Sequence, residues 1–418
     1  MKIIFFHQYF NTPQMSGSTR SYEMARRLVD LGHEVHLVTS LRDFGAEANG
    51  WVQTNEAGIF VHWYHTPYSN SMGYARRMAA FFQFALAALF KGVKLRGDLV
   101  FATSTPLTIA IPAVLTSKLK RLPLVFEVRD LWPQMPIAVG ALRNPFLKKA
   151  AKWLERWAYF NSKAVVALSP GMKHGVMETG YPEEKIAVIP NGSDNVEFAF
   201  DVDAGVKFRD QRSWISARPL VVYTGAFGKI NGVEYLIYVA AELLKLGSDV
   251  RFLVIGDGAE YNMLVDLAKA FGVYEVNLYF EAPISKNEMP ALLSAATLAT
   301  NLVIDLPEAR ANSANKFFDA LAAGKPILLN HGGWMHDLVC AHKCGLAMWG
   351  LSAAKVAVEL DSKLHDHEWL NSAGKQARLL AEQYFDRDDL AKQFGLILES
   401  IKNDESVPVS HLAPGIYS

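Results

Sequence analysis

Residues 312–326 read NSANKFFDALAAGKP, and this stretch contains a short helix whose two ends are marked by the sequence. Asn315 or Ser313 can cap a helix that begins near Lys316, because short polar side chains accept hydrogen bonds from the first free backbone N–H groups. Gly324 and the proline that follows it end the helix. The apolar runs on either side are short enough for buried strands. The stretch therefore predicts one strand, helix and strand unit of a parallel sheet.

The same alternation continues outward from this stretch in both directions. Short runs rich in β-branched and aromatic residues favour strands, and the longer amphipathic segments between them favour helices. The predicted strands are residues 2–6, 34–39, 60–65, 99–102, 124–127, 164–168, 220–223, 250–255, 277–280, 298–301 and 326–329. The predicted helices are residues 20–31, 76–95, 107–119, 145–160, 233–246, 260–271, 286–293, 316–323, 367–383 and 386–402. This order predicts α/β architecture with mostly parallel sheets that helices cover on both faces.

The 418 residues are too many for one hydrophobic core, and the alternating pattern occurs twice. We expect an N-terminal Rossmann-like domain at residues 1–205 and a second one at residues 206–380. Residues 381–402 are predicted to be a C-terminal helix that crosses back onto the first domain, and residues 403–418 a loosely ordered tail. Ligands of such sheets bind beyond the carboxyl ends of the strands, so two facing domains predict a site in the cleft between them.

The composition excludes several classes of protein. The 42 basic and 42 acidic residues cancel, which argues against a nucleic-acid-binding protein. Two cysteines cannot form a disulfide framework, and this is typical of a reducing compartment. The first ten residues, MKIIFFHQYF, read as a first strand rather than an export signal, so we expect a cytoplasmic protein.

Two segments of the second half are candidates for binding a diphosphate. The start of the helix near Lys316 exposes backbone N–H groups, and the lysine adds a positive charge there. Asp319 lies one turn later on the same face, where a carboxylate can accept hydrogen bonds from ribose hydroxyls. The second candidate is the loop YTGAFGKING at residues 223–232, in which glycines permit close approach of an anion. An ordinary capped helix with a solvated lysine and aspartate explains the first pattern equally well.

A third candidate lies in the first half of the chain. The loop at residues 11–19 contains Gly17 and Ser18 immediately before a helix, whose start can approach phosphates or a sugar. A simple tight turn is the competing interpretation.

Taken together, five motifs resemble glycosyltransferase family 4, which has the GT-B fold. Within that family the chain is similar to bacterial surface-polysaccharide enzymes, namely the L-fucosamine transferases of O-antigen assembly. The motifs are Gly17 with Arg20, EVRDLWP at residues 127–133, VIPNGSD at residues 188–194, the glycine loop at residues 225–232, and NKFFDALAAGKP at residues 315–326. The resemblance covers about residues 1–400.

In its second half the chain departs from the family pattern at four positions. Of the family's two glutamates spaced eight residues apart, the second falls on Asp319 and the first on Ala311. The sugar contact of the first glutamate is therefore either absent or made by Glu308. The family's phosphate-binding arginine and lysine fall on Ala226 and Asn231. Lys229 and Lys316 are the predicted replacements.

The resemblance implies a retaining, metal-independent transferase that moves a hexosyl or N-acetylated amino sugar from a nucleotide donor, expected to be UDP-linked. No metal or other cofactor is expected, and the chain has no Asp-x-Asp pair to hold a cation on the diphosphate. The predicted catalytic residues, which stabilise the leaving phosphate or contact the acceptor anion, are Arg129, Lys229 and Lys316. The predicted donor-binding residues are Gly17, Ser18, Gly225, Asn231, Ile284, Glu308, Ser313, Asn315 and Asp319. The predicted acceptor-side residues are Arg20 and Asp130.

Two helices suggest where the acceptor lies. Residues 76–91 are apolar between basic ends but too short for the roughly 20 residues that span a bilayer. Residues 148–157 interleave lysines with tryptophans and suit an anionic lipid surface. We therefore expect a lipid-linked glycan acceptor and peripheral contact with the inner face of the cytoplasmic membrane, although buried packing accounts for both helices equally well.

Three other functions fit the same architecture. A nucleotide-sugar 2-epimerase requires two catalytic carboxylates near the sugar, and alanine at position 311 disfavours it. A two-lobed sugar-binding protein without chemistry is usually exported. A dinucleotide oxidoreductase is disfavoured because the sequence GDG at residues 256–258 lacks the third glycine of the fingerprint.

Overall fold

The computed structural model describes residues 1–15, 17–41, 50–66 and 74–415. The chain divides into two compact units, and each consists of two pieces of sequence. Unit 1 comprises Met1–Pro190 and Asp388–His411, and unit 2 comprises Asn191–Arg387 and Leu412–Ser418. Ser16, which belongs to the predicted loop at residues 11–19, lies outside the described residues.

Unit 1 is a three-layer α/β unit. Its strands are β1 (Lys2–Phe6), β2 (Glu34–Leu41), β3 (Trp51–Glu56), β4 (Ile59–His65), β5 (Leu99–Thr103), β6 (Leu124–Val128), β7 (Ala164–Ala167) and β8 (Ile186–Val188). Its helices are α1 (Arg20–Asp30), α2 (Tyr74–Lys94), α3 (Ala110–Lys120), α4 (Gln134–Ala138), α5 (Pro145–Phe160) and α6 (Pro170–Glu178), joined by the last helix of the chain, α15 (Arg387–Lys402).

The described strands of unit 1 form one sheet in the order β3-β4-β2-β1-β5-β6-β7-β8. Every pairing is parallel except that of β3 with β4. The strand order reverses between β1 and β5, and in such sheets the crevice beyond this point binds ligands. Successive side chains of β1 and β5 are buried because helices cover both faces of the sheet.

Unit 2 repeats this plan with strands that are parallel throughout. Its strands are β9 (Leu220–Thr224), β10 (Arg251–Ile255), β11 (Leu278–Glu281), β12 (Leu298–Asn301), β13 (Ile327–Leu329) and β14 (Gly345–Ala347), in the order β11-β10-β9-β12-β13-β14. Its helices are α7 (Val202–Asp210), α8 (Glu234–Lys245), α9 (Tyr261–Ala270), α10 (Met289–Ala295), α11 (Asn315–Ala322), α12 (Trp334–His342), α13 (Ala353–Leu364) and α14 (His367–Tyr384). Here the order reverses between β9 and β12.

The structure confirms the two Rossmann-like domains with parallel sheets, and each predicted strand is present within a residue or two of its expected ends. Three strands were not predicted. β3 is a polar edge strand, WVQTNE, whose antiparallel pairing leaves one face solvated. β8 and β14 contain three residues each, which is too short for a periodic signal.

The division into units differs from the expected boundaries at residues 205 and 380. The first piece of unit 1 ends at Pro190, and α15 contributes Phe394 and Leu398 to the same core as Phe5 and Phe101. The looseness of the predicted tail stays a prediction. The described tail has no helix or strand after α15 up to residue 415, yet the Val188 backbone N–H donates to Ser410 Oγ at 2.7 Å.

Candidate functional site

A set of polar groups in unit 2 lies where β9 and β12 end. β9 leads into the glycine loop at residues 225–232, and β12 leads through a short 3-10 turn to α11. Because β9 and β12 are neighbours in the sheet, their carboxyl ends bring the loop and the start of α11 together. Two segments that lie about 90 residues apart in the sequence therefore form one site.

Lys316 is the residue that joins these segments. Its Nζ lies 4.0 Å from the centre of the Tyr223 ring, within the range of a cation–π contact. A Cβ atom placed on Gly225 would come within 2.8 Å of the same Nζ, so only glycine leaves room for the ammonium group. Gly225 also has φ of 144°, a conformation that favours glycine. Burial lowers the pKa of Lys316 to about 7.

The start of α11 is built differently from the sequence prediction. The helix begins at Asn315, its N-cap residue is Ala314, and no side chain caps it. Ser313 and Asn315 are therefore not the caps that we expected. Ser313 instead holds a distant segment, since its Oγ accepts a hydrogen bond from the Asn191 backbone N–H at 3.4 Å. The first backbone N–H groups of α11 thus lack a side-chain cap, as an anion-binding helix start requires.

Asp319 lies one turn into α11 and contacts a different group of residues from Lys316. Its Oδ1 accepts a hydrogen bond from Ser193 Oγ at 2.8 Å. Burial raises the pKa of Asp319 to about 6, and the positive charge of Arg387 partly opposes this rise. Arg387 itself forms an ion pair with Asp194 and donates to the Gly192 carbonyl at 2.7 Å. The residue predicted to bind ribose is thus positioned by the segment at residues 191–194.

The segment at residues 191–194 contacts the start of α11, and no role was predicted for it from the sequence. Asn191 also donates through Nδ2 to the Ser313 carbonyl, which ties the segment to the start of α11. The signal was present in the motif VIPNGSD, whose asparagine, glycine and serine follow β8. Local spacing cannot connect it to α11, because the contact spans 122 residues of sequence.

The other predicted residues of unit 2 surround the glycine loop less closely. Asn231 donates through Nδ2 to the Ala226 carbonyl at 2.8 Å and therefore braces the loop itself. Lys229 is exposed on a single 3-10 turn after Gly228. Glu308 is partly exposed on the turn Pro307–Ala311, and Ile284 packs partly buried against the core of unit 2. Lys316, Gly225 and Asn231 are brought together, whereas the contacts described for Lys229, Glu308 and Ile284 do not join that group.

Unit 1 has its own polar cluster beyond β1, β5 and β6. The Arg129 guanidinium donates to Ser18 Oγ at 2.8 Å and to His7 Nε2 at 3.2 Å, while its backbone N–H donates to Ser104 Oγ. Since arginine can only donate, His7 must accept through Nε2 and is neutral in this arrangement. Burial lowers the pKa of Arg129, with Glu127 opposing the shift. His7 and Ser104 were not predicted, and both come directly after strands of the sheet.

The predicted acceptor-side residues have separate partners. Arg20 is buried, forms an ion pair with Glu127 at 2.9 Å and donates to the carbonyls of Ile189 and Pro190. This geometry favours a structural role for Arg20, so acceptor contact remains an untested prediction for it. Asp130 is exposed and accepts a hydrogen bond from Thr105 at 3.3 Å.

Gly17, the remaining predicted residue, is exposed with φ of 130°, and a Cβ there would come within 2.6 Å of Asn11 Nδ2. The loop before α1 therefore needs glycine at this position for steric reasons, whether or not it binds a ligand.

Comparison with family models identifies both halves of the chain. Residues 17–192 match the glycosyl transferase 4-like domain, and residues 207–380 match glycosyl transferases group 1. The two matches together cover more than four fifths of the 418 residues.

Individual relatives are more distant. An alpha-D-kanosaminyltransferase from Streptomyces kanamyceticus is 24% identical over 220 residues, which are 52% of this chain and 55% of the relative. A GDP-mannose-dependent alpha-(1-6)-phosphatidylinositol monomannoside mannosyltransferase from Mycobacterium tuberculosis is 24% identical over 205 residues, which are 47% of this chain and 51% of the relative. The chain thus spans about half the length of the relatives it matches.

Solved structures share the fold over nearly the whole chain. The Anabaena protein HepE in complex with UDP superimposes with a TM-score of 0.70 at 18% identity, covering 96% of this chain and 100% of that one. Sucrose-phosphate synthase from Thermosynechococcus elongatus gives a TM-score of 0.76 at 16% identity, covering 97% and 100%. At these identities the similarity establishes the fold.

Proposed function

Because the chain belongs to the glycosyltransferases that join a 4-like domain to a group 1 domain, we propose that it transfers a sugar from a UDP-linked donor held by unit 2. One observation carries the proposal: a lysine without a carboxylate partner among the described residues lies at an uncapped helix start beside a glycine loop. Positive charge, the N-terminal end of a helix dipole and a close backbone approach are what a diphosphate needs.

The proposed reaction breaks the bond between the anomeric carbon of the sugar and the diphosphate, and it forms a bond between that carbon and an acceptor hydroxyl oxygen. The acceptor proton passes to the leaving diphosphate, which departs as UDP. Negative charge grows on the diphosphate as the bond breaks, so Lys316 and the start of α11 stabilise the transition state more than the ground state. Lys229 and Arg129 are proposed to assist, and the reaction is proposed to retain anomeric configuration without a metal.

We further propose that the acceptor is a lipid-linked glycan of a bacterial surface polysaccharide and that the sugar is a hexose or an N-acetylated amino sugar. Two relatives support this in name, one a kanosaminyltransferase and the other acting on a phosphatidylinositol mannoside. A structural neighbour with a TM-score of 0.68 at 17% identity is WaaG, described as involved in lipopolysaccharide biosynthesis.

Two helices of unit 1 support a membrane-associated acceptor. On α2, Phe82, Leu86 and Phe90 form a stripe along one face and are each more than half exposed. On α5, Phe146 is 82% and Trp153 is 63% exposed, beside three lysines. In the described part of the chain, no helix is both long enough and apolar enough to cross a bilayer. Aromatic groups with flanking lysines are typical of helices that lie on a lipid surface.

The proposal is tested with the full chain, a panel of UDP-sugars and lipid-linked glycan acceptors. We expect UDP to be released only when donor and acceptor are both present, and turnover to persist in a chelator. Loss of turnover in the chelator with recovery in magnesium would refute the metal-free reaction. Raised melting temperature with donor but no UDP release with any acceptor would favour a sugar-binding protein instead.

The membrane contact has a separate test. Replacing Lys148, Lys149 and Lys152 together by serine should weaken binding to vesicles containing anionic lipid, by about 1 kcal/mol for each lysine near the surface. The matched control replaces three lysines of unit 2, Lys245, Lys269 and Lys355. Equal co-sedimentation of the two triple variants with vesicles would contradict docking through α5.

A further inference from the structure

Lys316 is confined between an aromatic face and a glycine backbone. Its Nζ lies 4.0 Å from the centre of the Tyr223 ring, and a Cβ atom at Gly225 would lie 2.8 Å from that Nζ and would displace it. The flexible four-carbon side chain of lysine loses rotamer freedom when it is held in one place. Some attraction must therefore hold the ammonium group at the loop.

The Tyr223 ring is itself rigidly placed. It lies one residue before the end of β9, is 0% exposed and packs beside Phe227 in the core of unit 2. Its hydroxyl donates to the Ala226 carbonyl at 3.0 Å, which ties the ring to the glycine loop. Burial raises the pKa of the Tyr223 hydroxyl, so it remains a neutral donor. The ring and the loop thus form one fixed surface.

A ring holds a cation in a way that a carboxylate cannot. A carboxylate would neutralise the ammonium group, occupy its N–H donors and repel an incoming phosphate. The ring attracts the cation through its quadrupole and leaves both the net charge and the donors available. None of the described carboxylates forms an ion pair with Lys316, and burial alone accounts for its lowered pKa.

We propose that Tyr223 is a positioning residue, whose ring holds the Lys316 ammonium beside Gly225 ready for the donor diphosphate. This inference rests on the proposed function, because it assigns Lys316 to the phosphates. It gives a role to Tyr223, which the sequence marks only as the end of a strand and the first residue of the candidate segment 223–232. The ring is proposed to act through the lysine.

The test compares two substitutions of the same ring. Tyr223→Phe keeps the aromatic face and removes the hydroxyl, whereas Tyr223→Leu removes the face. We expect Tyr223→Phe to stay within about threefold of the parent in kcat/KM and Tyr223→Leu to lose roughly tenfold, the scale of a desolvated cation–π contact. Phe252→Leu, which removes a buried ring from the same core on β10, serves as the control for general destabilisation. Melting temperatures establish that each variant is folded.

A double-mutant cycle separates positioning from structure. In a Lys316→Met background, Tyr223→Leu should cost no further activity, because the lysine that it positions is gone. An equal loss in both backgrounds, or a loss in Phe252→Leu as large as in Tyr223→Leu, would overturn the inference. The proposed function fails separately, if the parent neither binds UDP by calorimetry nor releases it. If the parent is active and Tyr223→Leu has the parental kcat/KM, the role of Tyr223 is refuted and the proposed function is not.

Discussion

A lysine lies at each end of helix α11, and Lys316 is half-buried whereas Lys325 is buried. The two lysines meet opposite surroundings. Lys316 lies in the first turn, 4.0 Å from the Tyr223 ring, and Lys325 lies just past the last turn, 4.3 Å from the Phe200 ring. Burial lowers the pKa of Lys316 to about 7 and that of Lys325 to about 8. By residue type, aromatic contact and direction of pKa shift they are alike.

The difference lies in what the backbone offers each ammonium group. The Lys325 Nζ donates to the Ser294 carbonyl at 3.2 Å, in the last turn of α10, where free carbonyl groups and the helix dipole favour a cation. Lys316 lies at the opposite pole of α11, where the dipole opposes a cation and favours an anion. The fold itself therefore stabilises the Lys325 ammonium, whereas the Lys316 ammonium lies where an anionic ligand would be expected to bind.

The largest expected effect separates the two lysines by activity. Lys316→Met should lower kcat by about a hundredfold or more, the typical loss for one preorganised donor to a developing charge. Lys325→Met is the matched control, because it removes a lysine just past the other end of α11, away from the glycine loop. Steady-state turnover with circular dichroism checks both. Parental turnover in a folded Lys316→Met variant would move the phosphate site to Lys229 and the glycine loop.

Local patterns in the sequence predicted much of this arrangement but not the contacts between segments that are distant in the sequence. The ends of α11 and the glycine loop follow from local signals, such as the glycine at position 225 and the glycine and proline after the helix. The predicted cap of α11 was wrong, because Ser313 is held by Asn191. That contact spans 122 residues, and no local pattern encodes it. The role of Tyr223 was missed for the same reason, since its ring meets Lys316 only after β9 and β12 pair.

The next effect concerns pH. Because burial lowers the pKa of Lys316 to about 7, the ligand-free ammonium loses its proton as pH rises through that value. A bound diphosphate favours the charged form and raises this pKa, so UDP binding above pH 7 must take up a proton. UDP affinity should fall by up to about tenfold per pH unit above pH 7.5, where the phosphate itself is already ionised.

Calorimetry in two buffers with different protonation enthalpies measures that uptake. Lys316→Met should abolish it, while Lys325→Met should leave it unchanged although the pKa of Lys325 is also lowered. A pH dependence that is identical in the parent and Lys316→Met would show that the proton binds elsewhere.

A smaller effect is expected at Asp319, one turn beyond Lys316. A ribose contact is equally strong in the ground state and the transition state, so its loss affects binding more than chemistry. Asp319→Ala should raise KM by about tenfold, the scale of one hydrogen bond to a charged group, and change kcat by less than about threefold. Ser193→Ala is the control, because it removes only the hydroxyl that donates to Asp319. A KM increase in Ser193→Ala as large as in Asp319→Ala would indicate that the carboxylate merely anchors that segment.

The smallest effect on activity is expected at Lys325. Lys325→Met should change turnover by less than about twofold and should act on stability instead.

The pKa of Lys325 in the folded protein, about 8, lies below the ordinary value of 10.5, so folding disfavours the charged form of this lysine. The resulting penalty is fully present below pH 8 and disappears as pH rises from 8 towards 10.5, because the unfolded chain binds more protons in that interval. The methionine variant carries no such penalty. Its free energy of unfolding, relative to that of the parent, should therefore be highest below pH 8 and should decline as pH rises. Urea unfolding of both proteins at pH 7, 8, 9 and 10 measures the trend. A constant difference across this range would show that the Ser294 carbonyl and the Phe200 ring fully offset the burial of the charge, and a difference that grows with pH would reverse the sign argued here.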